Sequence, residues 1–425
     1  MKKLVAILLF VLIFQHTQPI SLAAASYQGG HATQSVQSGW VKDDGKWAFY
    51  QNGSKKIGWL KESNKWYYMD SEGIMQTGWV KVDEKWFFLN SSGVMQTGWL
   101  KHDENWYYLN QSGVMLTGWV LIGNKWYYLK DNGAMRTGWV ETKEKWYYLS
   151  SSGAMQTGWK YINSNWFFLE KTGAMKTGWL FDSNKWFFLA ADGKMQKGWI
   201  EDNSKHYFLF NDGSMATNTS ISTNPSDLVV KDFATLGDSK QVILVTTKGY
   251  STINARVRAY ENVNGSWIQL YDLTGFIGKE GFAVTKGEGD LKSPRGKYTI
   301  GTAFGRYDNP GTRLPYRKIT TDDVWVDDSQ SQFYNTWQKA SLNNGKWKSA
   351  EKMDIKLYNY GFVINYNTAE RVPGAGSAIF FHVATNYTAG CTGVSQENVV
   401  NILKWIDPAK KPVVIQTPEA ELGNY

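Results

Sequence analysis

The sequence predicts a mainly β protein in which an N-terminal β-hairpin solenoid of about nine 20-residue repeats precedes a C-terminal β-sandwich-like domain. Two observations carry this prediction. Gly-Trp pairs recur every 20 residues through the first half, and the second half consists of short β-rich runs between Gly- and Pro-bearing turns. A hydrophobic content of 42% excludes a disordered chain, and the single Cys excludes a disulfide scaffold.

The N-terminus has the pattern of a secretory signal peptide. Met1-Lys2-Lys3 provides the charged start, residues 4–14 form an apolar run, and Ala23-Ala24-Ala25 offers small residues for cleavage. A run of 11 apolar residues is too short to cross ~30 Å of hydrocarbon. We therefore expect residues 1–25 to be removed near Ala25 and residues 26–37 to form a linker.

The charge of the chain indicates what surface it meets. The formal net charge is +8, or 8 − 2 = +6 once the two Lys of the signal peptide are removed. No Lys/Arg-rich run or nucleic-acid-binding motif accompanies this charge, so it favours an anionic surface such as a cell wall over nucleic acid. No later stretch is apolar enough to span a membrane. We expect a secreted, soluble protein that, if it stays at the cell surface, is attached there without a covalent bond.

A repeat of 20 residues fills residues 38–217. Trp follows Gly at positions 40, 59, 79, 99, 119, 139, 159, 179 and 199, and seven residues after each comes a second aromatic cluster such as Trp66-Tyr67-Tyr68. A Gly-x-Met phrase such as Gly93-Val94-Met95 leads into the next unit. Each unit is thus predicted to be two aromatic strands joined by a polar turn. Because one hairpin is marginal in water, the hairpins should stack.

Each predicted hairpin carries rings on both faces. Alternation puts Trp66 and Tyr68 on one face of the second strand and Tyr67 on the other. Two interpretations stay open. The rings and the Met residues hold the stack together, or two Trp and a Tyr of adjacent hairpins form an open cage for a quaternary ammonium, with a cation–π attraction of ~0.5–2 kcal/mol per ring.

Residues 78–99 show the full repeat, GWVKVDEKWFFLNSSGVMQTGW. This segment resembles the choline-binding, or cell-wall-binding, repeat of Gram-positive surface proteins. The resemblance implies cages between repeats that bind choline on teichoic acids, typically from Trp59 and Trp66 with a ring of the next hairpin such as Phe88. Related repeats bind glucan, so the choice between choline and glucan stays open. The end cages are predicted to be the weakest, since Ala48 and His206 interrupt the aromatic pattern.

The choline-binding residues implied by this resemblance share the two Trp positions and the last ring of the second cluster. They are Trp59, Trp66, Trp79, Trp86, Phe88, Trp99, Trp106, Tyr108, Trp119, Trp126, Tyr128, Trp139, Trp146, Tyr148, Trp159, Trp166, Trp179 and Trp186.

The second half is predicted to be a separate domain. Residues 218–227 are rich in Thr, Ser and Asn and read as a linker, and residues 228–425 form a mostly β domain. Its best helical candidate is Gln396 to Ile406, whose apolar residues keep roughly helical spacing.

A nucleophile can be located in this domain by elimination. Cys391 is the only Cys in the chain, and flanking small residues leave its sulfur approachable and backbone N–H groups free to hold an oxyanion. His382 is the only His of the domain and ends an apolar strand nine residues earlier. A thiol needs a nearby base to become a nucleophile at neutral pH. The alternative is that Cys391 is a small buried hydrophobic residue. One Cys and one His fall short of a zinc site, so neither a metal nor a cofactor is expected.

The segment from Gly376 to Gly393, with Phe381-His382 and Gly390-Cys391-Thr392, resembles the catalytic segment of the L,D-transpeptidase family. Upstream phrases support this in the expected order, among them residues 293–298 and 325–328 with Tyr334. The resemblance implies a β-sandwich-like cysteine enzyme that acts on peptidoglycan stem peptides. It implies Cys391 as nucleophile, His382 as proton donor and acceptor, and Gly390 and Thr392 as an oxyanion or substrate cradle. Asp328 and Tyr334 are weaker candidates for orienting substrate.

The predicted reaction begins with attack of the Cys391 thiolate on the stem peptide, which expels D-Ala and leaves a thioester. An amine would then form a 3–3 cross-link, and water would make the enzyme a carboxypeptidase. The predicted partners are stem peptides and a choline-bearing teichoic acid or related wall polymer, which places the protein in cell-wall biogenesis or degradation and in cell shape. The rival from another class is a wall-binding adhesin without activity.

Overall fold

The computed structural model describes residues 36–425, so the predicted signal peptide (1–25) and most of the predicted linker (26–37) lie outside the described residues. The chain divides into two compact units at the boundary between Arg136 and Thr137. It is mainly β, as predicted, with repeated hairpins followed by a closed β-sheet domain. Within residues 36–425, no helix has the length and apolar character needed to cross a membrane.

The repeats form nine antiparallel hairpins, five in the first unit and four in the second. Their strands are β1 Gly39–Asp43 and β2 Lys46–Gln51 (extended by β3 Ser54–Lys55), β4 Gly58–Glu62 and β5 Lys65–Met69, β6 Gly78–Val82 and β7 Lys85–Leu89, β8 Gly98–His102 and β9 Asn105–Leu109, β10 Gly118–Ile122 and β11 Lys125–Leu129, β12 Gly138–Thr142 and β13 Lys145–Leu149, β14 Gly158–Ile162 and β15 Asn165–Leu169, β16 Gly178–Asp182 and β17 Lys185–Leu189, and β18 Gly198–Asp202 and β19 Lys205–Leu209.

Two-residue turns set the register of each hairpin. In the second hairpin the turn residues Ser63 and Asn64 have φ of 49° and 59°. Positive φ at both positions is the type I′ turn, whose twist matches that of the flanking strands. Trp59 therefore lies opposite Tyr68, and Lys61 lies opposite Trp66.

Aliphatic side chains and backbone hydrogen bonds hold consecutive hairpins together. From the second hairpin to the ninth, the last residue of the second strand is fully or almost fully buried, for example Leu89 and Leu189 at 0% exposure. The Met95 N–H donates to the Trp66 carbonyl of the preceding hairpin at 2.8 Å. The buried residues of the described repeats are thus mainly aliphatic, with Phe residues such as Phe87 and Phe167 added, and include no Trp.

In most Gly-x-Met phrases the glycine packs on the methionine of the preceding repeat, whereas Gly73 of the first such phrase packs on Lys55. Gly173 has φ of +84°, and a Cβ added there would lie 2.3 Å from the Met155 Sδ. Gly178, which precedes the next Trp, has φ of +72° but no atom within 4 Å of an added Cβ. The two positions therefore require glycine for different reasons. Gly173 needs both a positive φ and the absence of a side chain beside Met155, whereas Gly178 needs only a positive φ.

Gly173→Ala is expected to destabilise the second unit more than Gly178→Ala does. Both variants force Ala into a left-handed conformation at a cost of ~1–2 kcal/mol. Only Gly173→Ala also overpacks the stack against Met155, which typically adds about 1–3 kcal/mol. Urea unfolding followed by Trp fluorescence measures the difference. Equal unfolding midpoints for the two variants would contradict the role of the Gly–Met contact.

The large sheet in the second half of the chain, called the barrel below, closes on itself. Its strands are β20 Gln241–Thr247, β21 Asn254–Val263, β22 Ser266–Phe276, β25 Gly296–Gly305, β26 Tyr316–Lys318, β30 Gly361–Ile364, β31 Phe380–Val383, β32 Thr392–Val394 and β33 Val413–Pro418. They run in the order β26-β25-β30-β31-β32-β22-β21-β20-β33, and β33 pairs with β25 as well as β20. The predicted sandwich-like domain is therefore a closed, barrel-like sheet.

Smaller elements surround this sheet. They are the strand pair β23 Phe282–Ala283 and β24 Ser293–Pro294, the three-stranded sheet of β27 Asp323–Val326, β28 Thr336–Lys339 and β29 Ala350–Lys352, the helix α1 Gln396–Trp405, and 3-10 turns at Val229–Asp232, Ala340–Leu342, Lys356–Tyr358, Pro408–Lys410 and Glu419–Asn424. The predicted helix is confirmed, and the Ser395 hydroxyl caps it by accepting from the Asn398 N–H.

The ninth hairpin shares a hydrophobic core with the barrel. Phe208, Phe210 and Ala216 are buried in one cluster with Leu270 of β22 and Leu403 of α1. The segment 218–227, which the sequence predicts to be a linker, also packs on the barrel, because Ser222 and Gln269 of β22 form an antiparallel backbone bridge. The ninth hairpin and residues 218–227 thus form a packed interface with the barrel.

Candidate functional site

The hairpins present a recurring group of three rings. Trp59 meets Trp66 of its own hairpin at 6.2 Å between ring centroids and Phe87 of the next hairpin at 4.8 Å. With Met95 these rings line a surface cavity of about 510 Å³. The same contact between a first-strand Trp and a ring of the following hairpin joins Trp40 to Tyr67, Trp79 to Tyr107, Trp99 to Tyr127, Trp139 to Phe167, Trp159 to Phe187 and Trp179 to Tyr207.

The second-strand Trp of these groups is only partly covered. Exposure of this side chain is 40–44% at Trp47, Trp66, Trp86, Trp106, Trp126, Trp146, Trp166 and Trp186. Trp used only for packing is largely buried. The packing interpretation therefore fits the Leu and Met residues, whereas the second-strand Trp rings keep surface available to a ligand.

The ring that reaches across to the preceding hairpin differs from the predicted one. Phe88 packs on Trp79 of its own hairpin at 5.2 Å, whereas Phe87 contacts Trp59. The prediction of Phe88 as the ring added to the Trp59 cage is therefore wrong. Residues at the equivalent position likewise pack on their own first-strand Trp, namely Tyr108 on Trp99, Tyr128 on Trp119 and Tyr148 on Trp139.

The two end hairpins behave differently from each other. Trp40 has its full group, with Trp47 at 6.5 Å and Tyr67 at 4.8 Å. Ala48 does not interrupt this group, because it is fully buried and forms a backbone bridge with Ile74 instead of contributing to the three rings. In hairpin 9 the Trp199 ring packs against the barrel core instead of forming such a group.

The second site is a cleft of about 620 Å³ in the second half of the chain. Both Cys391 and His382 line it. His382 lies on β31 and Cys391 immediately precedes β32, and these two parallel strands pair so that Phe381 is opposite Thr392. The elimination argument from the sequence therefore leads to two residues that share one cleft.

The Cys391 thiol is held by backbone groups of the neighbouring strand. Its Sγ accepts from the Phe380 N–H at 3.3 Å and donates to the Ala378 carbonyl at 3.2 Å. Burial raises the pKa of the thiol well above its ordinary value, and the negative charge of Glu351 raises it further. The thiol is therefore protonated at neutral pH before substrate arrives.

The His382 ring is held by carbonyls and not by the thiol. Nδ1 lies 2.8 Å from the Val383 carbonyl oxygen, and the Leu357 carbonyl also faces the ring. The Tyr358 ring packs on it at 5.1 Å. Desolvation lowers the pKa of His382 to about 4, so the imidazole is neutral at neutral pH. Among residues 36–425 His382 makes no hydrogen bond to Cys391.

The two predicted cradle residues are placed differently. The Gly390 N–H donates to the Thr388 hydroxyl at 3.2 Å, and its carbonyl accepts from Ser293 at 2.7 Å. Thr392 is fully buried and its hydroxyl donates to Gln416, so its side chain cannot contact substrate. The Thr392 side chain therefore takes no part in the predicted cradle, whereas a role for the Thr392 backbone stays a prediction.

The two weaker candidates also lie outside the cleft. The Asp328 carboxylate accepts from the backbone N–H groups of Gln330 and Lys348, which fixes a loop. Its neighbour Asp327 lines the cleft instead, so the assignment of Asp328 is corrected. The Tyr334 hydroxyl donates to Glu288 and accepts from the Gly376 N–H, so Tyr334 positions a cleft residue without lining the cleft itself.

Three carboxylates of the cleft were not predicted as site residues. Glu288, Asp327 and Glu351 all line it. Glu351 lies on β29 opposite Trp325 and accepts from the Tyr358 hydroxyl. Its burial, with the charges of Asp327 and Glu288, raises its pKa to about 7, against the lowering effect of Tyr358. Across residues 36–425, no group of three or more His, Cys, Asp and Glu is placed to hold a metal ion.

Replacing Glu351 with Gln is expected to speed alkylation of Cys391 by iodoacetamide at about pH 8.5. Above its pKa of about 7, Glu351 is ionised and its charge raises the pKa of the thiol; the neutral amide removes that effect and increases the thiolate fraction. At about pH 6, where Glu351 is mostly protonated, the two proteins should react alike. The exposed Glu370→Gln variant is the control, and equal rates for wild type and Glu351→Gln at the higher pH would contradict the coupling.

Comparisons with known proteins match both halves of the chain. Residues 246–415 match the family model of the L,D-transpeptidase catalytic domain. Residues 76–117, 116–157 and 177–220 match the choline-binding repeat, and residues 57–75 and 157–175 match a related cell wall binding repeat. No curated protein matches the chain.

Three similar solved structures come from Streptococcus pneumoniae. CbpJ of strain TIGR4 is 26% identical, with 43% of this chain and 94% of that chain covered and a TM-score of 0.34. Choline binding protein F, solved in the presence of a peptidoglycan analogue, is 26% identical, with 43% and 95% covered and a TM-score of 0.34. The choline-binding domain of CbpL is 31% identical, with 38% and 88% covered and a TM-score of 0.32.

Proposed function

Because the chain carries choline-binding repeats followed by an L,D-transpeptidase catalytic domain, we propose that it is an exported cysteine acyltransferase that forms 3–3 cross-links between peptidoglycan stem peptides. The observation that supports the reaction most directly is that Cys391 and His382 line the same cleft. The repeats attach the protein to the cell wall without a covalent bond, and their many sites raise the effective concentration of the enzyme at its substrate.

Acylation begins with a neutral thiol and a neutral imidazole. Cys391 Sγ attacks the carbonyl after the L-centre of the third stem residue while its proton passes to His382. The carbonyls of Val383 and Leu357 favour the protonated ring and so hold the proton until the bond to D-Ala breaks. The departing D-Ala amine then takes that proton, and the stem remains on Cys391 as a thioester.

The second half of the reaction releases the stem. An amine of a neighbouring stem attacks the thioester carbonyl, a C–N bond forms, the C–S bond breaks, and the thiol is regenerated. Water in place of the amine gives a shortened stem with a free carboxylate. The ratio of the two products distinguishes a transpeptidase from a carboxypeptidase.

The test is to incubate the full chain with a disaccharide-tetrapeptide and to follow protein mass and released D-Ala. We expect an adduct equal in mass to the acylating stem on the wild type and none on Cys391→Ala. Cross-linked dimers among the products support the transpeptidase. If neither adduct nor D-Ala forms across several stem types, the enzymatic proposal is wrong and wall binding remains.

The anchoring proposal is tested at a single cage. Trp66→Ala removes the exposed wall of the Trp59 group and is expected to lower the number of choline molecules bound per chain by about one. Isothermal titration with choline measures this number. Leu342→Ala, which removes an exposed apolar side chain from the second half of the chain and not from the repeats, is the control. An unchanged stoichiometry, or binding of dextran in place of choline, would contradict the choline cage.

A further inference from the structure

The three carboxylates of the cleft lack positively charged partners. Glu288 accepts from the Tyr334 hydroxyl and Glu351 from the Tyr358 hydroxyl. Within residues 36–425, Glu288, Asp327 and Glu351 form no ion pair with Lys, Arg or His. Three acids that share a cleft without a counter-ion leave a site suited to a cation.

The two lysines of the cleft do not neutralise this charge. Lys286 is buried and paired with Asp290 at 2.6 Å, and it also donates to the Gly287 carbonyl. Lys279 lies over the Tyr387 ring at 5.7 Å. The cation expected at the carboxylates must therefore come from a ligand.

One further polar atom of the cleft is unsatisfied. The Asp327 Oδ1 is buried and has no hydrogen-bond partner among the described residues. The Ser377 hydroxyl of the same cleft interacts with the Tyr334 hydroxyl. Buried polar atoms normally find partners, so the Asp327 Oδ1 marks a hydrogen bond that a ligand supplies. Because the carboxylates do not converge on a metal position, the ligand is an organic cation.

We infer that Glu288, Asp327 and Glu351 form the subsite for the ammonium group of the acceptor stem, and that Glu351 takes its proton as the amine attacks the Cys391 thioester. The assignment to the acceptor follows from position. Of the three acids, Glu351 is the one connected to His382, because it accepts from the Tyr358 hydroxyl and the Tyr358 ring packs on the His382 ring at 5.1 Å. The attacking nitrogen must come within ~3–3.5 Å of the carbon bonded to that sulfur, whereas a donor side-chain amine lies several bonds away.

The proton balance of this step is complete. The acceptor ammonium gives one proton to Glu351, and the freed nitrogen lone pair attacks the thioester carbonyl. The C–N bond forms, the C–S bond breaks, and a second nitrogen proton goes to the departing sulfur. Glu351 then releases its proton to water. A pKa of about 7 for Glu351 suits a group that must accept and release a proton at neutral pH.

The inference rests on the proposed function, and the test separates the two. Full-length protein receives a donor stem whose side-chain amine is acetylated, together with a separate acceptor stem whose amine is free. Thioester formation reports the donor half, and the ratio of cross-linked to hydrolysed product reports the acceptor half. Glu351→Gln is expected to lower this ratio by ~100-fold, whereas the exposed Glu370→Gln control keeps the wild-type ratio. Asp327→Asn is expected to raise the acceptor concentration needed for half-maximal cross-linking.

A second acceptor distinguishes proton transfer from a structural effect. Hydroxylamine is already neutral at pH 7, so a preformed thioester on Glu351→Gln should give hydroxamate at the wild-type rate. An equal loss with both acceptors would overturn the assignment of Glu351. If Glu351→Gln and Asp327→Asn both form the thioester and keep the wild-type product ratio, the subsite proposal is wrong but the proposed enzymatic function stands. Absence of any thioester on the wild type would overturn the proposed function and this inference with it.

Discussion

His382→Gln is expected to slow thioester formation on Cys391 by ~10²–10⁴-fold, the usual contribution of a general base. The thiol is buried and its pKa is raised, so it does not ionise without a proton acceptor in the cleft. Gln keeps a polar side chain at this position but cannot take up the proton. The rate of appearance of the adduct in the mass spectrum measures the effect, and His206→Gln in the ninth hairpin provides the matched control.

The pH profile of acylation gives the same residue a second test. An ordinary His is protonated below a pKa of about 6.5, but His382 has its pKa lowered to about 4 by desolvation. It stays neutral, and able to accept a proton, as pH falls from about 7 to about 5. The acylation rate should therefore show no decrease caused by protonation of His382 in that pH interval. A loss centred near pH 6.5 that disappears in His382→Gln would contradict the buried, neutral imidazole.

Phe210→Ala is expected to destabilise the catalytic half by about 3–5 kcal/mol, although Phe210 belongs to the repeat region. The side chain is 4% exposed within the core that the barrel shares, and the Lys404 Nζ lies 5.2 Å from its ring centroid. Removing the ring leaves a cavity between the ninth hairpin and the barrel. The loss should appear in the thermal unfolding of the barrel and not only in that of the hairpins.

Phe181→Ala is the control for this prediction. Phe181 is 56% exposed on the eighth hairpin, so its truncation should change the unfolding temperature little. Calorimetry on both variants separates the two effects. A Phe210→Ala protein whose barrel unfolds at the wild-type temperature would show that the ninth hairpin and the barrel are energetically independent.

The sequence predicts a periodic fold better than the contacts between its units. The 20-residue period and strand alternation correctly place Trp66 and Tyr68 together on one face, against Trp59. The period does not reveal which face of one hairpin meets the next. That direction depends on how the Gly-x-Met segment bends the chain, and it explains why Phe87 rather than Phe88 joins the Trp59 group.

The sequence likewise identifies some residues of the catalytic cleft and not others. Cys391 and His382 follow from being unique in their domain, and they need no knowledge of the fold. The carboxylates cannot be identified in this way. Glu288 and Glu351 are far apart in sequence and are brought into one cleft only by the folded loops and the β27–β29 pairing. Which of the adjacent residues Asp327 and Asp328 lines the cleft depends on the conformation of the loop after β27, and the sequence pattern does not predict that conformation.

The core shared by the ninth hairpin and the barrel also covers the surface that is exposed at the end of a repeat array. A solenoid ends in an aromatic face that would bind further copies unless a cap covers it. Here the barrel itself is that cap for the C-terminal end, since Trp199 and Phe208 pack against barrel residues instead of another hairpin. Upstream repeats can therefore be gained or lost in 20-residue steps without exposing that end. A separated set of repeats ending before the barrel would carry an adhesive surface and would be prone to self-association.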